Sequence, residues 1–205
     1  MKDHPILFNG AMVRALLAGS KTQTRRVVKN DPGPYWNPQV GIYNPLVIES
    51  GGYEAPGPEI YGASDELHGR KCPYGQPGDR LWVRETFGYN PDHPGILAHC
   101  CYRADPGHEH DGIAWKPSIH MPRAASRILL EIVSVRVERL QDISEKDARA
   151  EGVTIEDRHM AGYCAGQFLP PSIRAYRDLW ESISGDGSWG ANPWVWVVEF
   201  KRVAP

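Results

Sequence analysis

The sequence has no apolar run long enough to cross a bilayer, and only a short apolar stretch follows its first five residues. A membrane span needs roughly 20 mainly apolar residues and a secretory signal needs its own apolar region, so we expect a cytoplasmic protein without membrane contact. An excess of charge is also missing, since 23 basic and 25 acidic residues give a formal net charge of -2. This balance excludes a protein that coats duplexes by bulk electrostatics, and any contact with nucleic acid must be local.

Cysteine is scarce and irregularly spaced, with four residues in the chain. So few cysteines do not make a secreted disulfide scaffold, and we expect reduced thiols. No pair of ligands has the C-x2-C or H-x3-H spacing that is typical of zinc sites. We therefore predict no metal and no cofactor, although soft ligands are plentiful. They are Cys72, His99, Cys100, Cys101, His108, His110, His159 and Cys164.

The chain has 205 residues, 41% of them apolar, which is enough for one ordinary core and short for two. We predict a single domain over residues 1–205 with two loop-rich insertions, at about 31–77 and 88–125. The first insertion is crowded with proline and glycine, which do not sustain long regular elements. Its aromatic residues are interpreted mainly as anchors to the core, with a stacking surface as the alternative. They are Tyr35, Trp36, Tyr43, Tyr53, Tyr61 and Tyr74.

Outside the insertions, the patterns predict helices and strands in mixed order. Helical patterns cover about 11–18, 142–152 and a segment that begins near Pro171, and the second has Ser144 as its cap with Asp147 in a capping-box position. Strand patterns cover 78–86, a long segment from Arg127 that bends near 132–134, and a central apolar segment at 193–201. Since the alternation and glycine-rich loop of a βαβ sheet are missing, we predict an α+β fold, a mixed β-barrel flanked by helices.

Polar groups are concentrated just after the first helix, where the sequence is Lys-Thr-Gln-Thr-Arg-Arg over residues 21–26. A hydroxyl beside a lysine is a candidate nucleophile, because a lysine whose pKa is lowered by burial or by cations can accept its proton. The two arginines suit an anionic or planar ligand. The alternative is a set of solvated side chains at a helix C-terminus, where the helix dipole favours cations. Lys21 and Thr24 are three residues apart, so the chain must bend after Gly19 for them to meet.

Two further segments carry candidate ligand contacts. In the strand at 78–86, Trp82 and Arg84 share one face, while Glu85 lies on the other as an inward carboxylate or as a strand end that leaves the core. In the second insertion, Trp115 and His120 lie in a nine-residue run with two cations. That composition suits a base or a phosphate, and a structural cover over the barrel mouth is the alternative.

Four segments together resemble the ASCH domain of the PUA-like superfamily, in the insertion-bearing form encoded by phages and prophages. They are 19–26, 78–83, 140–154 and 196–200. The bacterial N4-acetylcytidine amidohydrolase of that family has a Gly-x-Lys-Thr-x-Thr-x-Arg motif, which residues 19–26 match. The resemblance implies that Lys21, Thr24 and Glu151 are catalytic, Glu151 coming from the helix that follows the long strand.

The function that the resemblance implies is hydrolysis of the acylated exocyclic amine in N4-acetylcytidine-type nucleosides or RNA. Lys21 takes the proton of Thr24, the Thr24 oxygen attacks the acyl carbonyl, and Glu151 manages the proton of the departing amine. Two alternatives stay open, a non-catalytic RNA-binding or nucleotide-binding module and a metal-independent ribonuclease with His120 as base. No oligomeric state is predicted. Substrate contacts are expected from Thr22, Arg26, Trp82, Arg84, Glu85, Trp115 and His120.

Overall fold

The structure is a computed structural model that describes residues 1–48, 50–107, 112–156 and 169–204. Strands and helices are numbered in chain order. The main sheet consists of Asp3–Leu7 (β1), Gln23–Val27 (β2), Arg80–Arg84 (β8), Leu129–Arg139 (β11) and Trp194–Val203 (β12). Its order is β1-β8-β11-β12-β2. The β1 and β8 strands are parallel and the other pairs are antiparallel.

Three α-helices are described, and each lies where the sequence pattern predicts one. Asn9 caps the first helix by accepting the amide of Met12. Ser144 caps the second by accepting the amide of Asp147, as the capping pattern predicts. The helices are Gly10–Leu17 (α1), Glu145–Ala150 (α2) and Pro171–Ser184 (α3). Short 3-10 turns cover Leu97–His99, Ser118–His120, Arg123–Ala125 and Leu140–Asp142. Strands and helices occur together, so the predicted α+β class is confirmed.

The two predicted insertions contain short strands of three to five residues. The strands are Gln39–Tyr43 (β3), Leu46–Ile48 (β4), Glu54–Pro56 (β5), Ile60–Ser64 (β6), Gly69–Lys71 (β7), Phe87–Tyr89 (β9) and Cys100–Tyr102 (β10). They form a three-stranded sheet β3-β6-β7 and the two-stranded pairs β4-β5 and β9-β10. Trp36 is buried and Tyr61 and Tyr74 pack against the core, as predicted for anchors, whereas Tyr35 and Tyr53 are exposed.

The strand predictions for the second half of the chain are confirmed. Strand β11 has a register shift between Ile132 and Ser134, where the sequence predicts a bend. Strand β12 lies between β11 and β2 and is buried on both faces. Trp196 and Val198 belong to one apolar cluster, while Val195 and Val197 belong to another under α2 and α3. Alternating side chains of one central strand thus join the two halves of the core.

The main sheet is open, so the closed barrel is not observed among the described residues. Strands β1 and β2 are its two edges, and the described ladders do not pair them. Other side chains fill the core instead. Val13 and Leu16 come from α1, and Trp36, Ala63 and Cys72 come from the first insertion. Closing a barrel requires the edge strands to pair, whereas here the first insertion adds its own side chains to the core of an open sheet.

The fold brings the start of β2 to the end of α2, and α3 packs beside them. The free edge of β2 faces a space bounded by α1 and α3.

None of the described helices is long and apolar enough to cross a membrane.

Candidate functional site

The chain turns where α1 ends, and this turn brings Lys21 to the end of α2. Gly19 has a φ of 76°, in the left-handed region that glycine adopts without steric cost. Lys21 then pairs with Glu151 in an isolated antiparallel bridge before β2 begins. The bend that the sequence requires after Gly19 is therefore present.

The Lys21 amine and the Glu151 carboxylate form a buried ion pair between residues 130 positions apart. The Lys21 Nζ donates to Oε2 of Glu151 at 2.8 Å and to its backbone oxygen at 3.0 Å. The Lys21 side chain has no exposed area and that of Glu151 is 3% exposed. One glutamate thus accepts two hydrogen bonds from the lysine nitrogen.

This close approach depends on the glycine that follows Glu151. Gly152 has a φ of 80°. A Cβ at this position would lie 2.8 Å from the Cβ of Ala15 and 2.9 Å from the Cβ of Lys21. Because both neighbours are the first atoms of their side chains, neither can rotate away. The end of α2 therefore packs directly against α1 and the Lys21 segment.

Arg25, one of the two arginines that the sequence offers to an anionic or planar ligand, binds carboxylates of this chain instead. Its side chain is fully buried, and Nη1 donates to Oε1 of Glu151 at 3.2 Å. Its Nη2 donates to Glu138 at 2.5 Å and lies 3.4 Å from Asp147. The guanidinium lies over the ring of Tyr176, 5.9 Å from the centroid. Each oxygen of the Glu151 carboxylate is therefore held by its own cation.

A signal for this role was present in the strand alternation. Neighbouring residues of β2 face opposite sides of the sheet, so a strand that presents Thr24 on one face presents Arg25 on the other. A buried arginine requires carboxylate partners. Glu138 and Asp147 lie in the strand and helix that precede Glu151 in sequence, and the fold supplies all three.

Burial shifts the pKa of two groups in this cluster. It lowers the pKa of Lys21 below its ordinary value of 10.5, and the charge of Glu151 offsets only part of this effect. Burial also raises the pKa of Tyr176 well above 10, and the charge of Glu151 adds to it. Lys21 therefore loses its proton more readily than a free lysine, whereas Tyr176 keeps its hydroxyl proton.

A cavity of about 170 Å³, here called the edge cavity, opens at the free edge of β2 between α1 and α3. Thr24, which is 1% exposed, and Glu151 both line it. Lys21 lies behind Glu151 and is not part of the described lining. The polar and aromatic residues that line the cavity include Thr24, Arg25, Arg26, Glu151, Tyr176 and Trp180.

The Lys21 amine and the Arg26 guanidinium approach the same ring. The Lys21 Nζ is 5.5 Å from the centroid of the Phe8 ring, and the guanidinium of Arg26 is 5.4 Å from it. Thr24 shares the Arg26 face because the two are two residues apart on β2.

A larger space meets the edge cavity at Glu151. This space, here called the acidic groove, has a volume of about 830 Å³ and runs between α1, the segment 151–156 and α3. Its described lining has one cation, Arg14. The carboxylates that line it are Glu151, Glu156, Asp178, Glu181 and Asp186. A positively charged or neutral group suits this groove better than an anion.

The predicted contacts from β8 lie outside the described lining of the edge cavity. The guanidiniums of Arg84 and Arg123 lie over the Trp82 ring, 5.4 and 5.9 Å from its centroid. Arg84 also donates to the backbone oxygens of Ser118 and Ile119. Trp82 and Arg84 thus hold the second insertion against the sheet.

Glu85 is the inward carboxylate of the two alternatives, and its partner is Arg127. Both oxygens of Glu85 accept from Arg127, at 2.9 and 3.1 Å. The same guanidinium donates to Asp105 at 2.7 and 2.8 Å and lies 3.9 Å from the centroid of the Tyr102 ring. Strands β11 and β12 separate β8 from β2, so Glu85 is far along the sheet from Glu151.

The remaining predicted contacts are also dispersed. Thr22 is exposed, and its backbone amide donates to Ala150 at 2.8 Å. Trp115 is half-buried with the guanidinium of Arg103 5.7 Å from its ring centroid, and His120 is exposed in a 3-10 turn. Of the seven predicted substrate contacts, Arg26 is the one in the described lining of the edge cavity.

Over the described ranges 1–48, 50–107, 112–156 and 169–204, no group of three or more His, Cys, Asp or Glu side chains could hold a metal ion. Cys72 is a free thiol within the core, and burial raises its pKa to about 11. Cys100 and Cys101 are also free thiols. His99 lies in the 3-10 turn Leu97–His99, and the remaining candidate soft ligands, His108, His110, His159 and Cys164, lie outside the described residues.

Comparison with known proteins identifies no relative of this chain, since no family model, no curated protein and no solved structure matches it. A functional assignment therefore depends on the motif at 19–26 and on the geometry around Glu151.

Proposed function

We propose that this chain is an ASCH-type, PUA-like amidohydrolase that removes the acyl group from the exocyclic amine of N4-acetylcytidine-type substrates. One observation carries the proposal. Lys21 and Glu151 lie 130 positions apart in sequence and are joined at 2.8 Å beside a cavity that Thr24 lines. These are the amine, carboxylate and hydroxyl that the motif at 19–26 and the α2 helix supply.

The hydrogen bonds of Lys21 suit a general base. A neutral amine has two N–H donors and one lone pair, and Glu151 accepts two hydrogen bonds from Nζ. In the neutral state the lone pair is then available to a hydroxyl proton. Burial favours that state, because it lowers the pKa of Lys21.

The reaction has two halves. Lys21 takes the hydroxyl proton as the Thr24 oxygen attacks the acyl carbonyl, and the amide C–N bond breaks when the departing cytosine amine receives that proton through Glu151. A water molecule then attacks the threonine ester, giving up its proton to the Lys21–Glu151 pair. The carboxylic acid leaves and the Thr24 hydroxyl is restored.

Three neighbours support this chemistry. Arg25 fixes one oxygen of Glu151, so the carboxylate is a positioned rather than a rotating group. Arg26 and Tyr176 line the edge cavity as a cation and a protonated phenol. Both can donate to the oxyanion that forms on the acyl carbon.

The test is steady-state hydrolysis of N4-acetylcytidine by the purified chain, followed by cytidine release. The variants Lys21→Met, Thr24→Val and Glu151→Gln are each expected to lower kcat/KM by about 10²- to 10⁴-fold, the usual contribution of a proton-transfer group. Thr22→Val is the matched control, because Thr22 is exposed and its hydroxyl lies outside the described cavity lining. Equal activity of Thr24→Val and Thr22→Val would refute the proposal.

A non-catalytic nucleotide-binding module is the second candidate, favoured by the mutual pairing of Lys21, Arg25 and Glu151. Such pairing is also what a structural network requires. This candidate is the outcome if the wild type binds cytidine derivatives without releasing cytidine. The described lining of the edge cavity has no histidine, so a ribonuclease is not proposed.

A further inference from the structure

The edge cavity is too small for a whole nucleoside. Its volume of about 170 Å³ lies below the roughly 300–1,000 Å³ of pockets that enclose drug-sized ligands. If the acylated amine occupies it, the sugar and its substituents must extend outward. Two neighbouring surfaces can receive them, the acidic groove on one side and a second cleft on the other.

The second cleft, here called the basic cleft, has a volume of about 240 Å³. Lys29, Arg70 and Lys71 line it, and its described lining has no acidic residue. Trp196 and Tyr74 provide aromatic wall surface. The charge of this cleft is therefore opposite to that of the acidic groove, and it is the surface that attracts an anion.

The basic cleft adjoins the edge cavity at one side chain. Val27 lines both spaces. Arg26 lines the edge cavity, and its charge also acts on the Tyr74 hydroxyl of the basic cleft. A ligand that leaves the edge cavity over Val27 therefore enters a region with cations from both sides.

The cations of the basic cleft differ in how they are held. Arg70 is fixed by the backbone, since its Nε and Nη1 donate to the carbonyl oxygens of Asn30 and Gly69, both at 2.8 Å. Lys29 and Lys71 have no carboxylate within ion-pair distance among the residues that the structure describes. Arg70 and Lys71 belong to β7 of the first insertion, so that insertion supplies two of the three charges.

We infer that the basic cleft binds a phosphate group of the substrate, so that the preferred substrate is a phosphorylated N4-acylcytidine rather than the free nucleoside. This inference rests on the proposed function of the edge cavity. The shared chemistry is a phosphate attached to the ribose, either the monoester of a mononucleotide or the diester of an RNA chain.

The experiment compares N4-acetylcytidine, its 5′-monophosphate and an oligoribonucleotide with one internal N4-acetylcytidine. We expect the phosphorylated substrate to have a KM at least tenfold lower than the nucleoside, because hydrogen bonds to charged groups contribute the equivalent of about tenfold or more. Binding of cytidine 5′-monophosphate and cytidine by calorimetry measures the same preference without turnover.

Arg70→Gln and Lys71→Gln are each expected to weaken binding of the monophosphate about tenfold and to leave cytidine binding and the hydrolysis of N4-acetylcytidine unchanged. Lys2→Gln, at the β1 end of the sheet, is the matched control and should change nothing. For the oligonucleotide, each lost contact should reduce the salt dependence of binding by about 0.7 in log–log slope.

The outcomes separate this inference from the proposed function. If the chain hydrolyses N4-acetylcytidine but binds cytidine and its monophosphate equally, the phosphate site is wrong and the hydrolase stands. If it hydrolyses nothing but binds the monophosphate through Arg70 and Lys71, the site stands and the hydrolase is wrong. Preference for the oligonucleotide over the monophosphate identifies the diester as the ligand. Unchanged monophosphate binding in the double variant Arg70→Gln/Lys71→Gln overturns the inference.

Discussion

Glu85 and Glu151 are two buried glutamates of one chain, and they differ in what surrounds them. They are 1% and 3% exposed, and each accepts hydrogen bonds from a buried or half-buried arginine. Both oxygens of Glu85 accept hydrogen bonds from Arg127. The oxygens of Glu151 are divided between Arg25 and Lys21, and its carboxylate lines a cavity.

The difference is one of chemistry rather than of burial. An arginine stays protonated throughout the accessible pH range, so Arg127 cannot take a proton from or give one to Glu85. A buried lysine changes protonation state readily. Burial lowers the pKa of Lys21, whereas its effect on Glu85 is to raise the pKa of the carboxyl. The titratable partner and the open space beside Glu151 are therefore what distinguish it from Glu85.

The largest expected effect is on activity. Glu151→Gln should lower kcat/KM for N4-acetylcytidine by about 10²- to 10⁴-fold, whereas Glu85→Gln should stay within a few-fold of the wild type. The reason is that Glu151 meets both Lys21 and the edge cavity, and Glu85 meets neither. Assays are run well below the unfolding temperature of each variant. A comparable loss in the two folded variants would break the distinction between the two glutamates.

The next effect is on stability, and it is expected at the Glu85 site. Arg127→Met leaves Glu85 buried without a counter-charge and should lower the free energy of unfolding by about 3 kcal/mol. This value is at the lower end of the range for breaking a buried ion pair, because the Arg127 side chain is a quarter exposed. Urea unfolding measures the change. The double variant Glu85→Met/Arg127→Met removes both charges and should recover most of the loss, and no recovery would show that the arginine acts by packing alone.

The smallest effect is in the pH dependence of stability, and the two sites should differ in sign. The pKa of Lys21 is lowered in the folded chain, so between that pKa and 10.5 the unfolded chain binds more protons and stability rises with pH. The pKa of Glu85 is raised, so its contribution is complete below 4.5 and is lost as pH rises through the folded pKa.

Each slope is at most about 1.4 kcal/mol per pH unit. The measurement is the unfolding free energy against pH for the wild type, from which the curves of Lys21→Met and Glu85→Gln are subtracted. The difference in unfolding free energy between the wild type and Lys21→Met should rise with pH below 10.5. The difference between the wild type and Glu85→Gln should fall with pH above 4.5. Two differences of the same sign would contradict the assigned shifts.

The local elements were predictable because their signals are local. Ser144 and Asp147 form a cap within one turn of α2, and the bend of β11 follows from apolar residues that change face near Ile132. The openness of the sheet was not predictable from such signals. It is a matter of tertiary packing, in which side chains of the first insertion such as Trp36 and Ala63 join the core of the sheet.

The residues of the candidate site also fall into those that the sequence predicts and those that only the fold reveals. The lysine and the threonine belong to one motif, and the sequence shows that the chain must bend after Gly19 for them to meet. The internal role of Arg25 was not predictable because its three carboxylate partners come from other elements, among them Glu138 and Glu151. Conversely, Trp82 and Arg84 have the composition of a ligand surface but are occupied by the second insertion.

The sequence by itself determined the three helices, the strands β8, β11 and β12 and the residue types that are available for chemistry, because propensity, capping and alternation act over a few neighbouring residues. Only the tertiary structure decided that Lys21 meets Glu151, that Arg25 completes the pair and that acidic and basic spaces adjoin the same cavity. Contacts between residues 130 positions apart depend on how β2, α2 and α3 pack together, and no short stretch of sequence encodes that packing.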